Sequence, residues 1–519
     1  MNSKYISLLF AASLTVAPAC TDDLDQYPHE ETTSESLYKT VSDYESVLAK
    51  LYSSYTVVGQ GKGGENADFS SNNGQDFGRC LFNLQEATTD EVVSTWLEGD
   101  KLTDLTYHSW DANDAWVSDA YYRAYYAITI SNEFLRQCSD SKIASFSEAD
   151  QASLKMFKAE ARFLRAFYYY WVLDLFRQGP MVTESDNVGA YIPDVANAEQ
   201  LFAFIEAELK ACEADMADKA SCVYGRAPRA AAWMLLSRLY LNAEVYTGKS
   251  YYSDCVTYSQ KVLTNDGYSL ESDYSKLFNA DNHKRTNEII LHAVVDSKQT
   301  VTWGSTTLLI CGAASTGCTS PDYDVKNYGV QSGWGSMRAQ SQLPNVFASG
   351  DSRFLFFSDQ QALEVKNPTD QTQGYIVTKW TNITDNGEIA SNTTSDGVDT
   401  DMPLFRLAEA YLNLAEAVVR GGTGASKSDA LSAVNKLRDR AGVKWFTDAD
   451  LTLDNLLAER QREMYWENTR RTDLIRHNYF CTNTFTWDLK TSAFDAKYNY
   501  FPIPQTELTA NPNLKNKEY

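Results

Sequence analysis

The chain is 519 residues long, with 43% hydrophobic and 22% charged residues, which suits a folded protein with a large core and excludes a disordered polymer. Its formal net charge of −23 argues against nucleic acid as a partner and against anionic lipid head groups. No segment reaches the roughly 18 apolar residues of a membrane-spanning helix, so attachment to a membrane would require an anchor.

The N-terminus reads as a targeting segment. Lys4 supplies the positive start, and Ile6 to Val16 form an apolar run too short to cross a bilayer. The following "VAPAC" puts small residues before Cys20, as a lipoprotein signal peptidase requires, although Pro18 is unusual there. Cys20 is therefore the expected lipidation site, with residues 1–19 removed and residues 20–519 forming one domain. The eight later cysteines show no CxxC pair and no Cys/His metal spacing. Cys311 and Cys318, in a loop rich in Gly, Ser and Thr, either pair as a disulfide or stay apart.

Apolar periodicity predicts a first helix over 40–58, with Val41, Tyr44, Val47, Leu48, Leu51 and Tyr55 on one face. Residues 59–78 form a polar, glycine-rich loop of the kind that more often carries function than not. Helices return over Trp116–Gln137, 151–176, 199–216, 227–246 and 252–265. The run "FYYYW" (Phe167 to Trp171) is expected in the core, and Ala227, Ala230, Ala231 and Ala232 allow close helix approach. From 270 to 400 strand-like pieces such as "EIILHAVV" and "YIVTKW" alternate with polar loops. The stretch Pro403 to His477 then reads as three helices, the third running from Thr452 through Arg471. The class is mainly α: a helical-repeat scaffold of about four helix pairs of the tetratricopeptide type, with a loop-rich, partly β region for the ligand site. The pairs are 42–58 with 114–137, 151–176 with 199–216, 227–246 with 252–265, and 403–420 with 428–441.

Several motifs are also familiar as wording. "PLFRLAEAYLNLAEAVVRGG", "ALSAVNKLRDRAG" and "LLAERQREMYWENTRRTDLIRHNYF" follow one another near the C-terminus, "EARFLRA" spans Glu160 to Ala166, and Ile503, Pro504, Asn511 and Pro512 mark the tail. Together these closely resemble the SusD/RagB family of surface glycan-binding lipoproteins of Bacteroidetes outer membranes; the ending "KNKEY" departs from the family's usual one. The acidic "TDDLDQYP" after Cys20 is similar to the export flank of such lipoproteins. The resemblance implies a non-catalytic protein, exposed on the outer membrane, that binds an oligosaccharide or polysaccharide and delivers it to a SusC-like TonB-dependent transporter. A starch-like α-glucan is the leading ligand, with xyloglucan, β-glucan, levan or peptides as alternatives.

The competing enzymatic reading is a glycoside hydrolase with two carboxylates. No HExxH, GxSxG or Walker motif occurs, and Glu459, Glu463 and Glu467, interleaved with Arg460 and Arg471, have the spacing of helices laced by ion pairs. A pyranose needs aromatic surface for its C–H face and planar donors and acceptors for its hydroxyl rim. Loop residues of those types are Trp96, Trp303, Trp334 and Tyr328, with Tyr323 nearby and Asp76, Arg79 and Asp100 as polar partners. The resemblance singles out Arg79, Trp96 and Trp334, because the family's starch-binding member builds an aromatic arc from an N-terminal loop tryptophan and one from the middle region. No cofactor is expected. The aspartates of 385–401 leave a structural calcium open, although their spacing fits no known loop.

Overall fold

The computed structural model describes residues 37–69, 74–189, 191–390 and 397–519; Cys20 and the targeting segment lie outside the described residues. Its principal helices are α1 (Val41–Ser53), α2 (Phe77–Gln85), α3 (Ala115–Gln137), α4 (Glu148–Phe176), α5 (Ala198–Cys212), α6 (Arg229–Leu241), α7 (Tyr252–Thr264), α8 (Ser305–Ala313), α9 (Leu407–Val419), α10 (Lys427–Arg440), α11 (Leu453–Met464) and α12 (Arg470–Arg476). Local chemistry sets the starts of several. Thr40 with Asp43, Asn197 with Gln200, and Ser426 with Asp429 form reciprocal capping boxes on α1, α5 and α10.

The helices stack in a tetratricopeptide-like scaffold. Helix α4 packs on α3 and α5, α6 on α7, α7 on α9, and α9 on α10. The second, third and fourth expected pairs therefore meet. The first differs in part: α1 lies against both α3 and α4. Phe167 to Trp171 are all buried, and Ala227, Ala230, Ala231 and Ala232 are fully enclosed where α6 meets its neighbours. No helix among the described residues is long and apolar enough to cross a membrane.

Two boundaries near the C-terminus depart from the periodicity. Residues Met402–Arg406 form strand β4 rather than a helical turn, paired antiparallel with β2 (Ile289–Ala293). A second strand buried on both faces offers these residues a ladder, and Pro403, facing His292, has no N–H to donate to it. The helix begins only at Leu407. The third helix likewise breaks after Met464, because Trp466 and Asn468 adopt left-handed φ of 61° and 62°. A long-range partner holds this break open: Trp466 donates its backbone N–H to Glu91 Oε2 at 3.0 Å and its indole N–H to Glu91 O at 3.2 Å.

The C-terminal carboxylates sit in a buried charge lattice. Glu463 faces Arg353, Arg406 and Arg440; Glu459 faces Arg353, Arg438 and Arg462; Glu467 faces Arg406 and Lys379. Arg460 bonds Asp473 and Asn413. Arg471 is the exception. It has no carboxylate partner among the described residues and lies instead over Phe501 and Phe480, at 4.2 and 5.1 Å from the ring centres, with a hydrogen bond to Tyr498 O. Burial among those rings holds its guanidinium down to about 10.

Candidate glycan-binding site

Two short strands carry the site. β1 (Val93–Ser94) pairs antiparallel with β3 (Met337–Arg338), matching Val93 to Arg338 and Ser94 to Met337. Beyond the paired residues, Thr95 N donates to Ser336 O at 2.8 Å, so the ladder runs on toward Trp96 on one side and Trp334 on the other. The indoles of Trp96 and Trp334 consequently lie with ring centres 6.0 Å apart and planes tilted by 28°. Trp96 keeps 37% of its surface exposed and Trp334 is half-buried. Aromatic carbon left in water at this level is costly unless something covers it in use.

The backbone under Trp334 is fixed from the other side. Trp334 N donates to Cys311 O at 2.7 Å and Gly335 N to Ala314 O at 2.9 Å, seating the loop on the end of α8. A Cβ on Gly333 would stand 1.8 Å from Ala314 O, and Gly335 has φ +60°. Both positions thus demand glycine. The "SGWGS" spelling was the available signal for this anchoring, which periodicity alone does not reveal.

Arg79, on α2, ties two loops together from beneath. Its Nη1 donates to Trp303 O at 2.8 Å, its Nη2 bonds the Asp100 carboxylate, and its guanidinium lies over Trp116 at 5.5 Å. Trp116 Nε1 in turn donates to Asp100 O at 2.7 Å. Arg79 is buried, so its role is to hold the loop after Trp96 against the segment of Trp303 rather than to offer a surface. Asp100 keeps about a quarter of its side chain in solvent, at 24%. Trp303, at 44% exposure, is the most open of the three tryptophans. Its ring packs against the glycine-rich loop: a Cβ on Gly63 would meet it at 3.3 Å, and Gly63 N donates to Val301 O at 3.0 Å.

Asp76 and Tyr328 lie inside the protein and offer no surface to a ligand. Asp76 caps α2, accepting from Arg79 N at 2.8 Å and Thr302 Oγ1 at 2.6 Å. Burial raises its carboxyl above the ordinary range, partly offset by those two bonds. Its carboxylate also crowds Gly304, where a Cβ would come within 2.2 Å. Tyr328 packs beside Tyr323 with ring centres 6.1 Å apart, and Tyr323 OH accepts from Ser315 N at 2.6 Å. Asp and Tyr in a polar loop resemble ligand contacts in composition; here one is a helix cap and the other is core.

Cys311 is buried in α8, Cys318 is half-buried in the next loop, and the two form no disulfide. Of the aspartates in 385–401, Asp385 pairs with Arg285 and accepts from Asn279, Asp399 accepts from Ser297 N, and Asp401 from Val295 N. Residues 391–396 of that loop lie outside the described residues, and among the described residues no three His, Cys, Asp or Glu side chains gather as for a metal.

Comparison with known proteins bears on this geometry. The family model "SusD family" matches residues 264–519, and "Starch-binding associating with outer membrane" matches 24–241. The chain is 33% identical to the starch-binding protein SusD of Bacteroides thetaiotaomicron, with all of both chains covered. The chain belongs to the SusD family. A SusD superfamily protein from Parabacteroides distasonis superposes with a TM-score of 0.72 at 20% identity, covering 94% of this chain and 100% of the other. The surface glycan-binding protein A of Bacteroides thetaiotaomicron, solved with laminarihexaose, gives 0.69 at 18%, covering 93% and 100%. SusD-family membership goes with a binding rather than a catalytic role.

Proposed function

We propose that the protein captures a glucose-based oligosaccharide on the Trp96–Trp334 platform, with Trp303 and Asp100 beside it, and passes it to a SusC-like TonB-dependent transporter. The observation that carries this reading is the pair of partly exposed indoles, 6.0 Å apart, fixed by the β1–β3 ladder. Indole faces complement the C–H face of a pyranose, and the Asp100 carboxylate can take hydroxyl hydrogens at its rim. A starch-like α-glucan is the leading ligand, because the chain matches the starch-binding SusD of Bacteroides thetaiotaomicron along its whole length at 33% identity. The neighbour holding laminarihexaose makes a β-glucan the second choice. Lipidation at Cys20 would hold the protein on the outer face of the outer membrane.

The test is calorimetry of the purified protein against maltoheptaose, laminarihexaose, xyloglucan oligosaccharides and levan oligomers. Covering one indole face together with the sugar carbons on it removes about 100 Å² of apolar surface, worth about 2.5 kcal/mol. W96A and W334A are each expected to lower maltoheptaose affinity by about sixtyfold. Binding that survives in both variants would move the site elsewhere. Binding of peptides with no response to any glycan would overturn the proposal.

A further inference from the structure

On the Trp334 side of the platform, three loops converge on one glutamine amide. Residues 366–374 form a closed turn: Asp370 Oδ1 accepts from Thr372 N at 3.0 Å, and Gln373 Oε1 accepts from Lys366 N and Asn367 N at 2.7 and 2.8 Å. Arg338, at the end of β3, fastens that turn to the ladder. Its Nη2 donates to Pro368 O at 2.9 Å and its Nε to Gln373 O, while Ala339 N donates to Tyr375 O at 2.8 Å. The turn is thus held to the same strand that positions Trp334. Two glycines of the other loops enclose the amide oxygen of Gln371. A Cβ on Gly317 would stand 1.9 Å from Gln371 Oε1, and one on Gly335 would stand 3.3 Å from it. Gly335 directly follows Trp334, so this oxygen lies within about 9 Å of the Trp334 Cα.

The hydrogen bonds decide which end of the amide faces outward. Ser315 Oγ accepts from Gly317 N at 3.1 Å, and its own hydrogen goes to Gln371 Oε1 at 3.4 Å. Gln371 Nε2 has no hydrogen bond among the described residues, and unlike the orphaned nitrogens of the core it stays open to solvent. Gln360 repeats the pattern one loop further out. It is exposed, its backbone is left-handed at φ +57°, and its Oε1 accepts from Thr319 Oγ1 at 3.0 Å. Such strain in a residue with a side chain gathers at functional sites. Ala362 N donates to Thr372 O at 2.8 Å, tying this second loop to the Gln371 turn. A glutamine on an open surface must lose its rotamer freedom when it meets a ligand. Gln371 is half-buried with its oxygen already fixed, so using its nitrogen costs little further ordering.

We infer, on the footing of the glycan platform proposed above, that Gln371 is a specificity-determining residue of that site, its Nε2 donating to a hydroxyl oxygen of the sugar ring seated on Trp334. It complements Asp100, whose carboxylate takes hydroxyl hydrogens on the Trp96 side. The indoles recognise the C–H face of any pyranose, whereas a fixed donor at the ring edge asks for an oxygen at one position.

The experiment is calorimetry of the full-length protein with maltoheptaose and with laminarihexaose, alongside near-ultraviolet circular dichroism of the ligand-free variants. Gln371→Ala is expected to lower affinity for the bound glycan about five- to tenfold, the worth of one neutral hydrogen bond. Its ligand-free tryptophan spectrum should match the wild type, because Trp334 is seated by Cys311 O and Ala314 O without Gln371. In a W334A background the same change should have no further effect, since the sugar edge is no longer brought to the amide. Wild-type affinity in Q371A, with binding lost in W334A, would overturn the assignment and leave the platform standing. A loss in Q371A that comes with an altered tryptophan spectrum, or that persists in W334A, would make the residue structural and also overturn it. Failure of the wild type to bind either glycan would remove the platform and this assignment with it. If Q371A does not fold, Gln371→Met, which keeps the length and removes the donor, tests the same point.

Discussion

Glu463→Gln is the sharpest probe of the charge lattice, because it changes one atom and no shape. Glu463 is fully buried and its carboxylate meets Arg406 at 3.0 Å, Arg353 at 3.2 Å, and Arg440. Burial alone would raise its carboxyl; Arg440, Arg406 and Arg353 outweigh that and pull it from the ordinary 4.5 to about 2. At roughly 1.4 kcal/mol per pH unit, this preference for the ionised form is worth about 3 kcal/mol at neutral pH. The sign follows from a depressed carboxyl: the stabilisation is fully present above pH 4.5 and is lost as pH falls toward 2. Unfolding entropy of ~2.1 cal/mol/K per residue over the roughly 470 described residues is about 1 kcal/mol/K, so the variant should melt about 3 °C lower at pH 7. The assay is differential scanning calorimetry of both proteins from pH 7 to pH 3. The deficit is expected to narrow below pH 4.5. A variant melting with the wild type at pH 7, or a deficit that ignores pH, would refute the reasoning.

Arg79→Met should lower glycan affinity about tenfold without touching the ligand, since the loops of Asp100 and Trp303 lose their common tie; Arg79→Lys should restore little, because a lysine lacks the fork that reaches both. Calorimetry reads both, and wild-type affinity in R79M would exclude the positioning role. Burial pushes His108 down to about 4, so its neutral form contributes stability that is present above pH 6.5 and lost as pH falls toward 4; His108→Phe should melt with a shallower loss over that window. Glu91, raised to about 7 by burial, acts in the opposite direction, its contribution disappearing as pH rises from 4.5 to 7, so Glu91→Gln should make the melting temperature climb more steeply with pH there. Chelation with EDTA is expected to leave both melting temperature and maltoheptaose binding unchanged, and a fall in either would reopen the calcium question at 385–401.

Legibility in the sequence follows the range of the interactions. Helices such as Ala115–Gln137 and Glu148–Phe176 were readable because their apolar period is local. The break at Trp466 was not, because Glu91, which holds it, lies 375 residues away. Nor was strand β4: "PLFRLAEAY" has helical spacing throughout, and only the buried partner β2 selects the extended form for its first part. At the site, three exposed or half-exposed tryptophans could be named from their place in loops. Their partners could not, since Arg, Asp and Tyr look alike in sequence whether they meet a ligand or a backbone. Asp76 alone carried a local clue, as an Asx residue directly before a helical run. Arg471 shows the opposite failure: charge spacing suggested an ion pair, and the fold supplied Phe501 and Phe480 instead.

The β1–β3 ladder has a further consequence. Trp96 falls within the segment 24–241 and Trp334 within 264–519, so each half of the polypeptide contributes one indole. Neither half can assemble the indole pair alone, so a chain cut or stalled between them lacks the platform. If the platform binds glycan as proposed, retention of carbohydrate becomes available only after the second half of the chain has folded back onto the first.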